Sequence, residues 1–376
     1  MSEPELSHLS EGQRELLSST RELAAAELAP IAERGAEGTV NRLLVEALAT
    51  HGLLGRLFGE GSVAAMDLCL IREGLACECT EAETAFALQG LGFYPLLLAG
   101  SSELVESWLP EVAAGRAIAA FALTEPEAGS DVGALSCAAE RLDGGWRLTG
   151  SKAFISNAPE ADIYSIFART GGPGPKGITA FALPGDADGL SGESIALLSP
   201  HPIGRLELDG VVLDDGHVLG EVDGGFGVAM RTLNLFRPSV GAFAVGMAQA
   251  ALEAAVAHAG DRHAFGRPLR ELQAVSHRLA EMATRTQAAR LLVHAAAAAT
   301  DAGADGVSRL VAMAKLYATE AAQYVVDGAV QVLGARGLER GGLLEHLYRE
   351  VRAPRIYEGT SEIQREIIGR ELYRAD

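Results

Sequence analysis

Stretches of helical periodicity at either end flank a central segment cut repeatedly by Gly, Pro and Asp clusters. That contrast limits the possible folds more than any other feature of the chain. From about residue 10 to 118 apolar residues recur at helical spacing: Leu16, Leu23 and Leu28, then Leu43, Leu44, Ala47 and Leu48. Ser101-Ser102-Glu103 reads as the cap of a helix through Trp108, stopped by Pro110. Near residue 119 the texture changes. Residues 119–123, 146–148, 153–156, 163–168, 178–183 and 206–213 read as short strands, separated by clusters such as Asp143-Gly144-Gly145 and 171–175. After Gly224-Gly225-Phe226 the helical period returns, in Ala-rich runs over 240–259, 271–299 and 307–333 that suit a bundle. The pattern predicts an α+β fold: an N-terminal α-helical domain (1–118), a middle antiparallel β domain (119–224) and a C-terminal α-helical bundle (225–376).

Composition narrows the function. The 376 residues suggest two to three domains at ~150 residues each. With 48% hydrophobic residues and a mean hydropathy of +0.15, a large core is available. The net charge of −19 disfavours nucleic acid or an anionic membrane surface, both of which need a basic face. Cys69, Cys77, Cys79 and Cys137 form no CxxC pair and fit a reducing compartment. The histidines show no HExxH or other metal spacing. The acidic start, Met-Ser-Glu-Pro-Glu, lacks a signal peptide's apolar region, and no stretch reads as long and apolar enough to cross a membrane. A cytoplasmic location is expected.

Two segments carry the chemistry. In Tyr357-Glu358-Gly359-Thr360-Ser361 a lone carboxylate sits in a tight turn before the last helix. Gly359 lets the backbone turn. The Ser361/Gln364 spacing suggests a capping box and a helix start there. A carboxylate so placed is a candidate general base, although a surface Glu beside an ordinary cap would read the same way. The second segment, 121–131, leaves the first strand. Thr124 and Ser130 offer hydroxyls, and Gly129 allows close approach of the backbone to a ligand; a polar turn is the plainer reading.

Taken together, four ordered motifs resemble the acyl-CoA dehydrogenase family over nearly the whole chain. They are Thr124-Glu125-Pro126-Glu127-Ala128-Gly129-Ser130-Asp131, Arg262-His263-Ala264-Phe265-Gly266 with Gln273, Gln331-Val332-Leu333-Gly334-Ala335-Arg336-Gly337, and Tyr357-Glu358-Gly359-Thr360. The resemblance implies FAD-dependent α,β-dehydrogenation of an acyl-CoA thioester, an oxidoreductase reaction of fatty acid metabolism. By that analogy Glu358 takes the α-proton and flavin N5 accepts the β-hydride. The thioester oxygen is held by the Glu358 N–H and a ribityl hydroxyl. Positions matching flavin contacts are Phe121, Leu123, Thr124, Gly129, Ser130, Phe154, Ser156, Thr360 and Glu362. Arg262, Phe265, Gln273, Gln331 and Gly334 match residues that reach the FAD of a neighbouring subunit, which implies a homo-oligomer, usually a tetramer. Ser130, Asn234, Arg237, Gly359 and Arg370 match the substrate side. Arg237 could equally form a helix-end ion pair.

The chain departs from the family pattern in places. Phe154 stands for a common Trp, Ser156 for Thr, Asn234 for Asp, and Ala335 for the second Gly of a Gly-Gly pair. Ala264 replaces a Thr or Gln that helps hold FAD. The loop 55–61 is shorter than usual. Some branches carry the base one residue before Arg237; here that residue is Phe236, which leaves Glu358. An electron-transfer flavoprotein is the expected acceptor. Alternatives are an acyl or aminoacyl group on a carrier protein in a biosynthetic pathway, a flavoprotein subunit that needs a partner, and, less in keeping with a retained base, a flavin hydroxylase. The presumed cavity wall, 85–98, is apolar with Gln89 and no Arg or Lys, which predicts a neutral acyl chain.

Overall fold

The computed structural model describes residues 6–59 and 63–373. The reading of the N-terminal Met-Ser-Glu-Pro-Glu and of Glu60 and Gly61 in the shortened loop lies outside them. Helices precede and follow a β region in sequence order, but they do not cluster in that order. One compact unit gathers Met1–Ala29, Ala64–Glu83 and Leu235–Asp376; the other is Pro30–Val63 with Thr84–Asn234.

The first unit is helical. Its long elements are the greater part of helix Gly225–Asp261, with helices Gln273–Asp301 and Val307–Leu333. Small residues let helices of this unit approach closely, as where Gly225–Asp261 meets helix Ala65–Glu78. A Cβ on Gly246 would sit 2.5 Å from the Glu73 carbonyl oxygen, so no larger residue fits that crossing. Helix Ala65–Glu78 begins without a side-chain cap of its own. Its free amides are met instead by Asp301, whose carboxylate accepts from Ala65 N at 2.6 Å and Met66 N at 2.9 Å. Inside this core the Glu73 carboxylate is paired with Arg290 Nε at 2.7 Å. Gln249 and Gln287 accept from the remaining guanidinium nitrogens.

The second unit holds the sheet. Eight strands join in one sheet among the described residues: β1 (Ala119–Ala122), β2 (Ala138–Leu142), β3 (Gly145–Ser156), β4 (Ile163–Arg169), β5 (Ile178–Pro184), β6 (Leu190–Ser194), β7 (Ile203–Asp214) and β8 (Val218–Leu219). The order is β6-β7-β3-β2-β4-β5-β8, with β1 against β4. Pairing is antiparallel except for β1 with β4 and a single β2/β4 position, Ala138 with Arg169. Helix Thr80–Ala99 lies close to β1: a Cβ on Gly92 would meet Ala120 N at 2.5 Å, and Ser165 Oγ donates to the Gly92 carbonyl at 2.7 Å.

Several local expectations change. The segments 146–148 and 153–156 form one strand, β3, interrupted by register shifts. Strand β6 was not foreseen because Leu-Ser-Gly-Glu-Ser is mostly exposed and lacks apolar alternation. The helix after Ser101 runs through Pro110 to Ala113; Ser101 does cap it, accepting from Leu104 N. Helix Gly225–Asp261 is long and apolar enough to cross a membrane by length and composition, which corrects the expectation that no stretch qualifies. Of its most apolar window, 72% is buried inside the protein, as for a core helix.

Candidate active site

In the helical unit the turn before the last helix is fastened from several sides. The helix is Ser361–Leu372, with Thr360 as N-cap accepting from Ile363 N at 3.3 Å. The anticipated Ser361/Gln364 capping box does not form. Ser361 Oγ instead donates to Glu320 at 2.8 Å, and Gln364 Nε2 turns back to the Gly359 carbonyl at 3.0 Å. Both side chains are buried, so each satisfies a nearby acceptor rather than an amide at the helix start. Gly359 has φ +94°, and Glu358 itself has φ +52°, a left-handed conformation that L side chains rarely adopt.

Three successive carbonyls of this turn are held. Lys315 Nζ donates to Tyr357 O at 2.9 Å and to Gly359 O at 2.7 Å. Arg237 Nε donates to Glu358 O at 3.2 Å. Arg237 sits in the interior of helix Gly225–Asp261, so the helix-end reading is replaced by a bond to the turn. Arg72 completes the setting, paired with buried Glu83 and donating to Ser239 Oγ at 2.7 Å.

Glu358 is half-buried, yet its Oε2 is fully enclosed and has no hydrogen-bond partner among the described residues. Burial pushes its carboxyl pKa up, and the nearby charges of Arg72, Lys315 and Arg237 offset only part of that rise. The same burial brings the Lys315 ammonium down to about 8, with Glu358 pulling it up and Arg237 pushing it down. A carboxylate with a free oxygen, an elevated pKa and a fixed backbone is equipped to take a proton. Phe236, at the alternative base position, is a fully buried hydrocarbon.

In the sheet-bearing unit a second group of residues comes together. Buried Lys152 on β3 donates to Leu123 O at 3.2 Å and pairs with Glu125 at 2.8 Å. Glu125 also accepts from Ser136 N at 2.6 Å and Cys137 N at 3.0 Å. Burial alone would raise the Glu125 carboxyl, but Lys152 and these amides hold it below the usual carboxylate range. The Thr124 carbonyl accepts from Ala153 N at 3.0 Å, tying the loop to β3. Beside that contact a bulge in β3, between Lys152 and Ile155, puts Phe154 at φ +56° with 53% of its surface exposed. Leu123 is buried, Phe121, Thr124 and Ser156 are half-buried, and Gly129 and Ser130 are exposed. Apart from its chain neighbours, no described atom lies within 4 Å of a Cβ built on Gly129. An uncovered aromatic ring on a fixed bulge, beside the strand's contact with Thr124, fits a flat aromatic group such as isoalloxazine.

Most of the remaining expected positions are exposed. In the helical unit Phe265 and Gly266 form the tip of a two-stranded hairpin, β9 (His263–Ala264) and β10 (Arg267–Pro268). Phe265 is 91% exposed there, at φ +53°. Arg262, Gln273, Gln331, Gly334, Glu362 and Arg370 are exposed, as is Asn234 at the end of the other unit. Ala335 keeps an ordinary negative φ, so its methyl does not strain the backbone. Gln89 is not a cavity-lining amide. Buried, it donates to Val112 O at 3.3 Å and Ala117 O at 2.9 Å and accepts from Ala119 N at 2.7 Å.

The sequence reading missed Lys315, Lys152 and Arg72. A signal was present for two of them. The chain has three lysines, and Lys315 sits on an otherwise apolar helical stripe with Val311, Ala314 and Ala318, while Lys152 sits in a strand.

Comparison with known proteins agrees along the whole chain. Family models described as the N-terminal, middle and C-terminal domains of acyl-CoA dehydrogenase match residues 10–116, 120–211 and 223–373. Cyclohexane-1-carbonyl-CoA dehydrogenase of Geobacter metallireducens is 34% identical over 374 residues, covering 97% of this chain and 98% of the relative. Among solved structures, butyryl-CoA dehydrogenase from Megasphaera elsdenii superposes with a TM-score of 0.90 at 32% identity, covering 97% of this chain and 99% of that one. The FAD complex of PigA does so with a TM-score of 0.91 at 28% identity, covering 97% and 98%.

Proposed function

The chain belongs to the acyl-CoA dehydrogenase family, flavoprotein oxidoreductases that dehydrogenate acyl-CoA, and from that premise we propose that Glu358 is the base that removes the α-proton of the thioester. The observation that carries this reading is the enclosed, unpartnered Oε2 of Glu358 on a turn whose carbonyls are all held. An α-proton beside a thioester is only weakly acidic, so its removal needs an aligned base and donors for the developing enolate oxygen. The elevated pKa of Glu358 makes it a stronger base than a solvated carboxylate. Its own N–H is the proposed main-chain donor to the thioester oxygen.

FAD is the proposed cofactor and, when bound, supplies the acceptor for the β-hydride. The residues proposed to hold it are Phe121, Leu123, Thr124, Gly129, Ser130, Phe154, Ser156, Thr360 and Glu362. The exposed Phe265, with Arg262, Gln273, Gln331 and Gly334, would reach the FAD of a second copy, so a homotetramer is part of the proposal. Ser130, Asn234, Arg237, Gly359 and Arg370 remain the proposed substrate side, with Arg237 acting through the Glu358 carbonyl. The spans 1–118, 119–224 and 225–376 are kept as proposed domains. An electron-transfer flavoprotein is the proposed acceptor, in the cytoplasm, and the acyl chain is neutral.

The direct test is product analysis. The FAD-loaded protein, given saturated acyl-CoA thioesters and an artificial electron acceptor, should yield the 2-enoyl-CoA by mass spectrometry. A protein that holds FAD but converts no acyl-CoA would contradict the proposal and direct attention to carrier-bound thioesters.

A further inference from the structure

We infer that Lys315 is a positioning residue that aims the main-chain N–H of Glu358 at the thioester oxygen by holding the carbonyl of Tyr357. The inference rests on the reading of Glu358 given above. Lys315 is fully buried on helix Val307–Leu333, among Val311, Ala312, Ala314 and Ala318. An ammonium is costly to bury, and nothing in that apolar stripe needs one. Its two acceptors explain it: the carbonyls immediately before and after Glu358, at 2.9 and 2.7 Å.

The geometry of the peptide supplies the rest. In a trans amide the C=O and the N–H of the next residue point in opposite directions. Among the described residues the cis peptide is Ala158–Pro159, so the Tyr357–Glu358 link is trans. A Tyr357 carbonyl drawn to Lys315 therefore turns the Glu358 N–H away from Lys315. Arg237 and Gln364 bind the next two carbonyls, of Glu358 and Gly359, but Lys315 holds the peptide that contains this N–H. The left-handed φ values of Glu358 and Gly359 show a backbone that its neighbours must hold in place. The charged groups facing Lys315 are Glu358, Arg237, Glu320 and Glu362.

The experiment reads the bound thioester itself. The infrared C=O stretch of a 13C-labelled acyl-CoA is measured on the FAD-loaded Glu358→Gln protein, which holds the ligand without turnover. Donation to the oxygen should move the band to lower frequency than in free ligand. Adding Lys315→Met should remove most of that shift. In the otherwise native enzyme Lys315→Met should lower kcat on the order of 10²-fold, with KM changing far less. Lys315→Gln keeps a donor and should recover part of both, and it carries the test if the Met variant does not fold. An undiminished band shift with Lys315→Met overturns the inference, as does one with Lys315→Gln where that variant carries the test. No shift in Glu358→Gln alone would overturn the reading of the Glu358 turn, and this inference with it.

Discussion

Arg237 binds the main-chain carbonyl of Glu358 at 3.2 Å, while Oε2 of the same glutamate has no partner among the described residues. The cation thus fixes the base without bonding that oxygen. A carboxylate tied directly to a guanidinium would have its pKa lowered and its lone pairs occupied. Here burial raises the pKa and Arg72, Lys315 and Arg237 only moderate it.

That balance predicts the pH profile. Only ionised Glu358 can accept a proton, so kcat/KM should fall as pH drops through the raised pKa of the free enzyme. Lys315→Met removes one of the charges that lower this pKa, so the acid limb should move to higher pH. A limb that stays in place, or moves down, would mean that Lys315 does not act on Glu358 electrostatically.

Phe154 offers its exposed face on a strained bulge. Phe154→Ala should weaken FAD binding roughly 3- to 10-fold, the value of one aromatic stacking contact, with little loss of folded protein. Flavin content after gel filtration at limiting FAD measures this; unchanged retention would separate Phe154 from the cofactor.

The helix carrying Gln89 bears on specificity. Because that amide is spent on Val112, Ala117 and Ala119, it has no role in recognising an acyl carboxylate. Butyryl-CoA should therefore turn over faster than glutaryl-CoA, and the reverse order would refute a neutral acyl chain. Gln89→Leu should destabilise the sheet-bearing unit by about 1–3 kcal/mol, since it strands buried polar groups, and should leave the order of substrates unchanged.

The plan of the chain was legible because helical periodicity gives way to short strands between Gly, Pro and Asp clusters and then returns, and Gly359 and Glu358 could be found because a turn and a helix start are local events. The shell around Glu358 was not legible. Arg72, Arg237 and Lys315 come from three distant helices, and only packing brings them to one turn. The cap failed for a related reason: Ser361 and Gln364 have the right spacing, but Glu320 and the Gly359 carbonyl compete successfully for them. Gln89 was read as lining a cavity because burial against β1 leaves no trace in its neighbours' sequence.

The buried Glu73 carboxylate gives a stability prediction. Burial would raise its pKa, but Arg290 and His294 bring it down to about 2. A depressed carboxylate stabilises the fold above its unfolded pKa, here the ordinary value of 4.5, and that contribution disappears as pH falls toward 2. Urea midpoints should therefore drop steeply across this window. Glu73→Gln should flatten the drop and cost about 3–5 kcal/mol at neutral pH by leaving Arg290 without its ion pair. A variant with native stability and the same acid profile would contradict this.

The most direct test of the central claim is an anaerobic visible spectrum of the FAD-loaded protein and its Glu358→Gln variant, before and after adding saturated acyl-CoA thioesters. Both should bind FAD alike. The native protein should lose the flavin's visible band with at least one thioester, and the variant should keep it. Equal bleaching by the two proteins would remove Glu358 from the mechanism.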